Sequence, residues 1–287
     1  MIHDQPGAVP FLKGHGTEND FVLLPDLDGR LELTPSLAAA LCDRRAGIGA
    51  DGVLRVVPSR LDPDGAPYAD EARFFMDYRN ADGSLAQMCG NGARVFARYL
   101  VTAGLTPSGA LRIATRDGVK WAHVPPDGDV TVGMGPAVVA PGTVEVSVAG
   151  RSFDAVAVDV GNPHAVAFVD DLDDAGRLLD PPTVIPAAAF PEGVNVEFVV
   201  ERGPAQVAFR VFERGVGETR SCGTGACAVL AAARQRPGAD PSDRWTVDVP
   251  GGRLTLTVGA DGDIAMTGPA VLVAEGEIRR EWWEAHR

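Results

Sequence analysis

Met88-Cys89-Gly90-Asn91-Gly92-Ala93 and Ser221-Cys222-Gly223-Thr224-Gly225-Ala226 are two copies of one phrase: a thiol, two spaced glycines and the start of a helical pattern. The register around them repeats. Gly135-Pro136-Ala137-Val138 begins 46 residues after Cys89, and Gly268-Pro269-Ala270-Val271 begins 46 residues after Cys222. Asn80 and Glu213 each stand nine residues before their cysteine, after a strand-like run. Further upstream, Asn19-Asp20-Phe21-Val22 and Asn162-Pro163-His164-Ala165 form a looser third match. Matches in register point to a duplication, and hence to two similar β-rich domains, each with a helix that starts at a Cys-Gly-x-Gly turn. The boundary falls near Gly133–Gly142, giving domains of residues 1–135 and 136–268, with the final strand, within 269–287, returning to the first.

The 34 glycines and 22 prolines punctuate the chain often enough to favour short strands over long helices. Strands are expected at Arg73–Asp77, Leu111–Ala114, Val119–Val124, Val130–Val132, Val144–Val148, Ala155–Val160, Ala165–Val169, Val196–Val200, Val207–Phe212, Trp245–Val249, Leu254–Val258 and Ala270–Val273. Pro35–Cys42 reads as a helix with Thr34 as N-cap and Pro35 in its first turn. Gly92–Ala103 and Gly225–Gln235 are the two helices of the cysteine turns, closed by Gly104 and Pro237. Asp170–Leu179 and Glu281–Ala285 carry weaker helical patterns.

Composition narrows the chemistry. The 287 residues are 45% hydrophobic and 23% charged, ordinary for a globular protein, and the net charge of −13 opposes binding to nucleic acid and anionic membranes. No apolar run reaches the ~18 residues of a membrane span, and the polar start of the chain has no secretory h-region, so a cytoplasmic location is expected. Of the four cysteines, no two form a C-x-x-C pair, and the five histidines have no metal-ligand spacing, so no metal site is expected. Only Lys13 and Lys120 could form a Schiff base, which points away from pyridoxal phosphate and towards a cofactor-free protein.

A thiol at a strand-to-helix turn meets the unpaired N–H groups and partial positive charge of the helix start. That field favours thiolate, lowering a pKa that is otherwise ~8.5. It also binds carboxylate, and glycines let a ligand approach the backbone closely. Two such turns, one per domain, suit inversion of a carbon stereocentre through its carbanion. Such inversion needs a base on one face and an acid on the other, with one proton shared between two thiols. Cys42 and Cys227, by contrast, read as small apolar core residues.

Asn80-Ala81-Asp82-Gly83-Ser84-Leu85-Ala86-Gln87-Met88-Cys89-Gly90-Asn91-Gly92-Ala93-Arg94 resembles the signature N-x-D-G-S-x(4)-C-G-N-G-x-R of the diaminopimelate epimerase family. Gly14–Phe21, Gly47–Gly52, Gly161–His164, Gly193–Val196 and Glu213–Cys227 extend the resemblance, which runs from about Phe11 to Ile278. It implies an α+β fold of two pseudo-symmetric domains, each wrapping strands around a central helix, with the active site in the cleft between them. It implies a cofactor-independent epimerase of LL- and meso-diaminopimelate, serving lysine and peptidoglycan precursor biosynthesis, and a homodimer. Cys89 and Cys222 take the places of the two acid/base thiols, and His164 and Glu213 of residues that tune them. Asn19, Asn80, Asn162 and Asn195 match amide ligands of the substrate, and Glu213 with Arg214 match contacts to its charged ends. Gly90-Asn91 and Gly223-Thr224 match the helix starts that hold the reacting carboxylate.

The chain departs from the family pattern in places. Gly52 stands where some members have Gln, so one substrate contact is missing or replaced. Residues are inserted before Asn19, which alters the local loop. The first ten residues lie beyond the resemblance and are expected to be disordered. Two competing functions are a proline- or hydroxyproline-type racemase of the same superfamily and a thiol redox protein. Asn91 and Arg214 favour the longer, charged substrate over the first, and the substrate-binding asparagines have no purpose in the second.

Overall fold

In the computed structural model, which describes residues 7–287, the chain is an α+β protein whose contacts divide it into two units, one ending at Val132 and resuming at Pro269–Arg287, the other Gly133–Gly268. Along the first run β1 (Val9–Gly16), β2 (Asn19–Pro25), α1 (Pro35–Cys42), β3 (Gly52–Pro58), β4 (Phe74–Asn80), α2 (Gly90–Thr102), β5 (Gly109–Thr115), β6 (Gly118–Val124) and β7 (Val130–Gly135). Then come β8 (Val138–Val139), β9 (Val144–Val148), β10 (Arg151–Asp159), β11 (Pro163–Phe168), β12 (Thr183–Ile185), β13 (Asn195–Gly203), β14 (Gln206–Glu213), β15 (Gly217–Thr219) and α3 (Gly223–Arg234). The chain closes with β16 (Arg244–Val249), β17 (Gly252–Val258), β18 (Ile264–Gly268), β19 (Val271–Ile278) and α4 (Arg280–His286).

The two units repeat one ladder. In the first, β1–β2 is antiparallel, β2–β3 parallel, β3–β4 antiparallel, β4–β5 parallel and β5–β6 antiparallel. In the second, β10–β11, β11–β13, β13–β14, β14–β16 and β16–β17 follow the same alternation. Register then aligns residues. Phe21 pairs with Gly52 and Gly52 with Asn80; His164 pairs with Asn195, whose neighbour Val196 pairs with Phe212 beside Glu213. Phe21 thus corresponds to His164, Asn19 to Asn162, Gly52 to Asn195, Leu54 to Glu197 and Asn80 to Glu213. The two Gly-Pro corners have equivalent sequels, since β8 pairs with β10 in the second unit and β19 pairs with β1 in the first.

Each ladder surrounds a helix. Ten of the thirteen residues of α2 and nine of the twelve of α3 are buried, so neither helix has the solvent stripe of a surface helix. Val95, Phe96 and Leu100 of α2 and Val229 and Leu230 of α3 have no exposed surface, each burial contributing about 1.5–3 kcal/mol. A second layer in the first unit packs Leu37 and Leu41 of α1 and Trp283 of α4 against Val22, Leu24 and Val53. Thr34 caps α1 as its sequence predicts, its hydroxyl accepting the N–H of Leu37 at 3.2 Å.

Some expectations are corrected. The pattern at Asp170–Leu179 gives only a 3-10 turn, Leu172–Ala175, because Gly176 follows at φ 63° and stops the helix. Val9 and Pro10 belong to β1 and pair with Ile278 and Glu277, so the expected disorder of the first ten residues does not hold there; residues 1–6 lie outside the described residues. No helix among the described residues is long and apolar enough to cross a membrane.

Candidate active site

Both cysteines are helix N-caps in extended conformation, at φ −142°, ψ 117° for Cys89 and φ −120°, ψ 118° for Cys222. An N-cap usually offers oxygen to the orphan N–H groups of the first turn. Here sulfur does so: Cys89 Sγ accepts the N–H of Gly92 at 3.3 Å, and Cys222 Sγ that of Gly225 at 3.4 Å.

In the first unit the turn is built from the signature. Asp82 accepts the backbone N–H of Ser84 at 2.9 Å and its hydroxyl at 2.6 Å, while Asn80 Nδ2 donates to Ser84 Oγ at 3.0 Å. Gly83 sits at φ 86°, and a Cβ there would lie 2.1 Å from the carbonyl oxygen of Pro35, so only glycine fits. Cys89 Sγ is 3.7 Å from Asn19 Oδ1, which also accepts Asn91 Nδ2 at 3.2 Å. Asn19 Nδ2 donates to Asp51 at 2.8 Å, and Arg44 bridges Asp51 and Asp20. Behind Asn91 lies Arg94, fully buried, whose Nη2 donates to Asn91 Oδ1 and to Thr17 Oγ1 at 3.1 Å. Its Nε and Nη1 have no hydrogen-bond partner among the described residues. Burial pulls this guanidinium down to about 10, against the electrostatic pull of Cys89 and Asp129. The residues before Asn19 form a tight hairpin turn, Thr17 and Glu18 at φ 49° and 58°, in which Arg94 holds the Thr17 hydroxyl.

In the second unit Asn162 occupies the place of Asn19 and Thr224 that of Asn91. Asn162 Nδ2 donates to Thr224 Oγ1 at 3.3 Å, and Thr224 Oγ1 lies 3.5 Å from Cys222 Sγ. His164, fully buried, contacts Asn162 Oδ1 through Nε2 at 3.0 Å and Glu197 Oε1 through Nδ1 at 2.6 Å. Glu213 accepts the Thr219 hydroxyl and contacts Cys222; desolvation pushes its carboxyl up, against those two bonds. Asn195 Oδ1 accepts the backbone N–H of Arg214 at 2.9 Å, and the Arg214 guanidinium donates to the Glu192 carbonyl at 2.8 Å. Arg214 flanks a cavity of about 290 Å³ lined by Pro181, Val184, Phe190, Val194 and Phe212.

The expectation that a helix start lowers the thiol pKa fails at Cys222. Burial pushes it well above the usual thiol range, and the charges of Glu213 and Glu197 add to this, outweighing the bonds from Thr224 and Gly225. Cys42 and Cys227 are buried, and desolvation pushes both up to about 12. At Gly52 a Cβ would lie 2.6 Å from both the Arg79 carbonyl and Tyr78 Cε2, so the Tyr78 ring fills the space of a side chain there. Glu197, Arg94 and Asp51 stand outside the set of site residues expected from the sequence. The signals were a lone glutamate in the apolar run Val196–Val200 and a lone arginine among Ala93, Val95 and Phe96.

Comparison with known proteins gives the same family. The family model described as diaminopimelate epimerase matches residues 11–140 and 156–273. A diaminopimelate epimerase of Streptomyces coelicolor is 60% identical over 281 residues, covering 96% of this chain and 97% of the relative. One of Thermobifida fusca is 50% identical, covering 94% of this chain and 97% of the relative. Among solved structures, a phenazine biosynthesis protein of the PhzF family from Bacillus anthracis shares the fold at a TM-score of 0.71 and 16% identity, covering 95% of this chain and 99% of that one. The ladder, the paired cysteine turns and the relatives together place the chain in the diaminopimelate epimerase family.

Proposed function

We propose that the chain interconverts LL- and meso-diaminopimelate without a cofactor, using Cys89 and Cys222 as acid and base. The observation that carries this reading is the repetition, in both units, of a sulfur that caps a helix by accepting its third N–H group. One sulfur, as thiolate, takes the α-hydrogen as a proton, leaving the electron pair of the broken C–H bond on carbon. The other, as thiol, delivers its proton to the opposite face. N–H groups at the two helix starts, at Gly90-Asn91 and Gly223-Thr224, stabilise the charge that develops on the carboxylate. His164 and Glu213 set the protonation of the second thiol. Asn19, Asn80, Asn162 and Asn195 orient the amine and carboxylate groups, offering both donors and acceptors without net charge. Arg214 takes the distal carboxylate. The enzyme acts in lysine biosynthesis, in the cytoplasm and as a homodimer.

Epimerisation in D2O should place deuterium at the α-carbon of the product. Cys89→Ala and Cys222→Ala should each lower kcat by about a thousandfold or more while leaving the circular dichroism spectrum intact. Full activity in either variant refutes the two-thiol reading. Racemisation of proline in the same assay would favour the competing racemase.

A further inference from the structure

Glu197 lies within β13 with no exposed surface, at the register position that Leu54 fills in the first unit. A carboxyl group in a core is costly unless partners hold it, and among the described residues only one of its oxygens is held. Oε1 meets His164 Nδ1 at 2.6 Å, whereas Oε2 is buried without a hydrogen-bond partner among the described residues. From His164 a chain of contacts runs through Asn162 (3.0 Å) and Thr224 (3.3 Å) to Cys222 Sγ (3.5 Å). A shorter approach also exists. A Cβ on Gly225 would lie 2.8 Å from Glu197 Oε1 and 3.3 Å from Cys222 Sγ, so this glycine keeps the carboxylate and the thiol on two sides of one small gap.

We infer that Glu197 is a positioning residue for the second thiol: it fixes the His164 ring and, through Asn162 and Thr224, the setting in which Cys222 holds its proton. The inference rests on the reading of Cys222 as an acid/base group. Among the described residues, the other ionisable groups facing this pocket are His164 from β11, Glu213 from the end of β14 and Cys222 at the start of α3. A charge on Glu197 opposes ionisation of Cys222, so the carboxylate keeps this sulfur as the proton-carrying member of the pair.

The test is Glu197→Gln in the full chain, which keeps the length and an acceptor oxygen but removes the charge. In protein labelled with 15N-histidine, the low-field Nδ1 proton of His164 should move upfield. The reaction of Cys222 with methyl methanethiosulfonate at neutral pH, followed by peptide mass spectrometry with Cys89 as internal reference, should become several-fold faster. With diaminopimelate, kcat should fall about tenfold and its pH profile should shift, with KM within about twofold. An unchanged ratio of Cys222 to Cys89 reaction, with an unmoved pH profile, overturns the inference. Should Glu197→Gln fail to fold, Glu197→Asp keeps the charge but falls short of the ring. It should lose the low-field proton and the rate, and wild-type behaviour in it overturns the inference. Failure of the epimerase reading looks different: the wild type would not turn over diaminopimelate, while the His164 and Cys222 responses would persist.

Discussion

At the first cysteine turn the buried charge is Arg94; at the second it is Glu197. The scaffolds match down to the asparagine, Asn19 or Asn162, and to the residue two after the thiol, Asn91 or Thr224, that contacts it. The anchors behind them have opposite sign and occupy different positions. Five residues after the thiol stands Arg94 in one unit and Cys227 in the other, and on the facing strand Leu54 in one and Glu197 in the other. Duplication supplied two equivalent sulfurs, and the divergence of these few core residues made them inequivalent. If the two sulfurs share one proton, as proposed, this difference sets which of them rests as the thiol.

The comparison can be broken most directly at the positions five after each thiol. Arg94→Met removes the cation behind Cys89 and the bond that Arg94 Nη2 donates to Asn91 Oδ1. Turnover should fall about a hundredfold and Cys89 should react more slowly with thiol reagents. The mirror change, Cys227→Val, should leave turnover within about twofold. Equal effects would erase the asymmetry. A second, smaller contrast lies at the glycines three after each thiol. A Cβ on Gly225 meets the fixed Glu197 carboxylate at 2.8 Å, so Gly225→Ala should cost about 2 kcal/mol and about tenfold in activity. On Gly92 the nearest atom is the end of the Leu54 side chain at 3.3 Å. Gly92→Ala should therefore stay within about 1 kcal/mol, aided by the helix preference of alanine. Denaturant titration with parallel assays separates the two.

The smallest effect concerns pH. Burial pushes the Asp20 carboxyl up, but hydrogen bonds from Arg44 and Lys13 outweigh it and hold the group down to about 2. Its stabilisation is thus present above the ordinary carboxylate pKa of about 4 and lost as pH falls from about 4 towards 2. Asp20→Asn should flatten that limb of the stability curve by about 1–2 kcal/mol. The second unit has no counterpart, since Pro163 stands at that position.

The symmetric part of the molecule was the legible part. The Cys-Gly-x-Gly turns, the equal intervals to Gly-Pro and the paired Asn19 and Asn162 all recur in sequence, so the repeat could be read before any contact was known. The sequence pattern does not mark β1, β2 and β3 as strands. Leu54 and Val56 of β3 are buried, as are Val53 and Val57 between them, so the run shows no alternation. The anchors were harder still. A lone Glu197 or Arg94 in an apolar run signals that a partner exists, but the partners, His164 and Asn91 with Thr17, come from other strands and turns. Only the folded register shows which.

The pairing of β19 with β1 has a consequence for synthesis. Residues Gly133–Gly268 are contiguous, so everything the second unit needs has left the ribosome once Gly268 emerges. The first unit, though begun earlier, keeps the edge of β1 open until Val271–Ile278 arrives. Translation thus leaves the earlier half incomplete until β19 has been made, and its β1 is the nascent edge for a chaperone to shield.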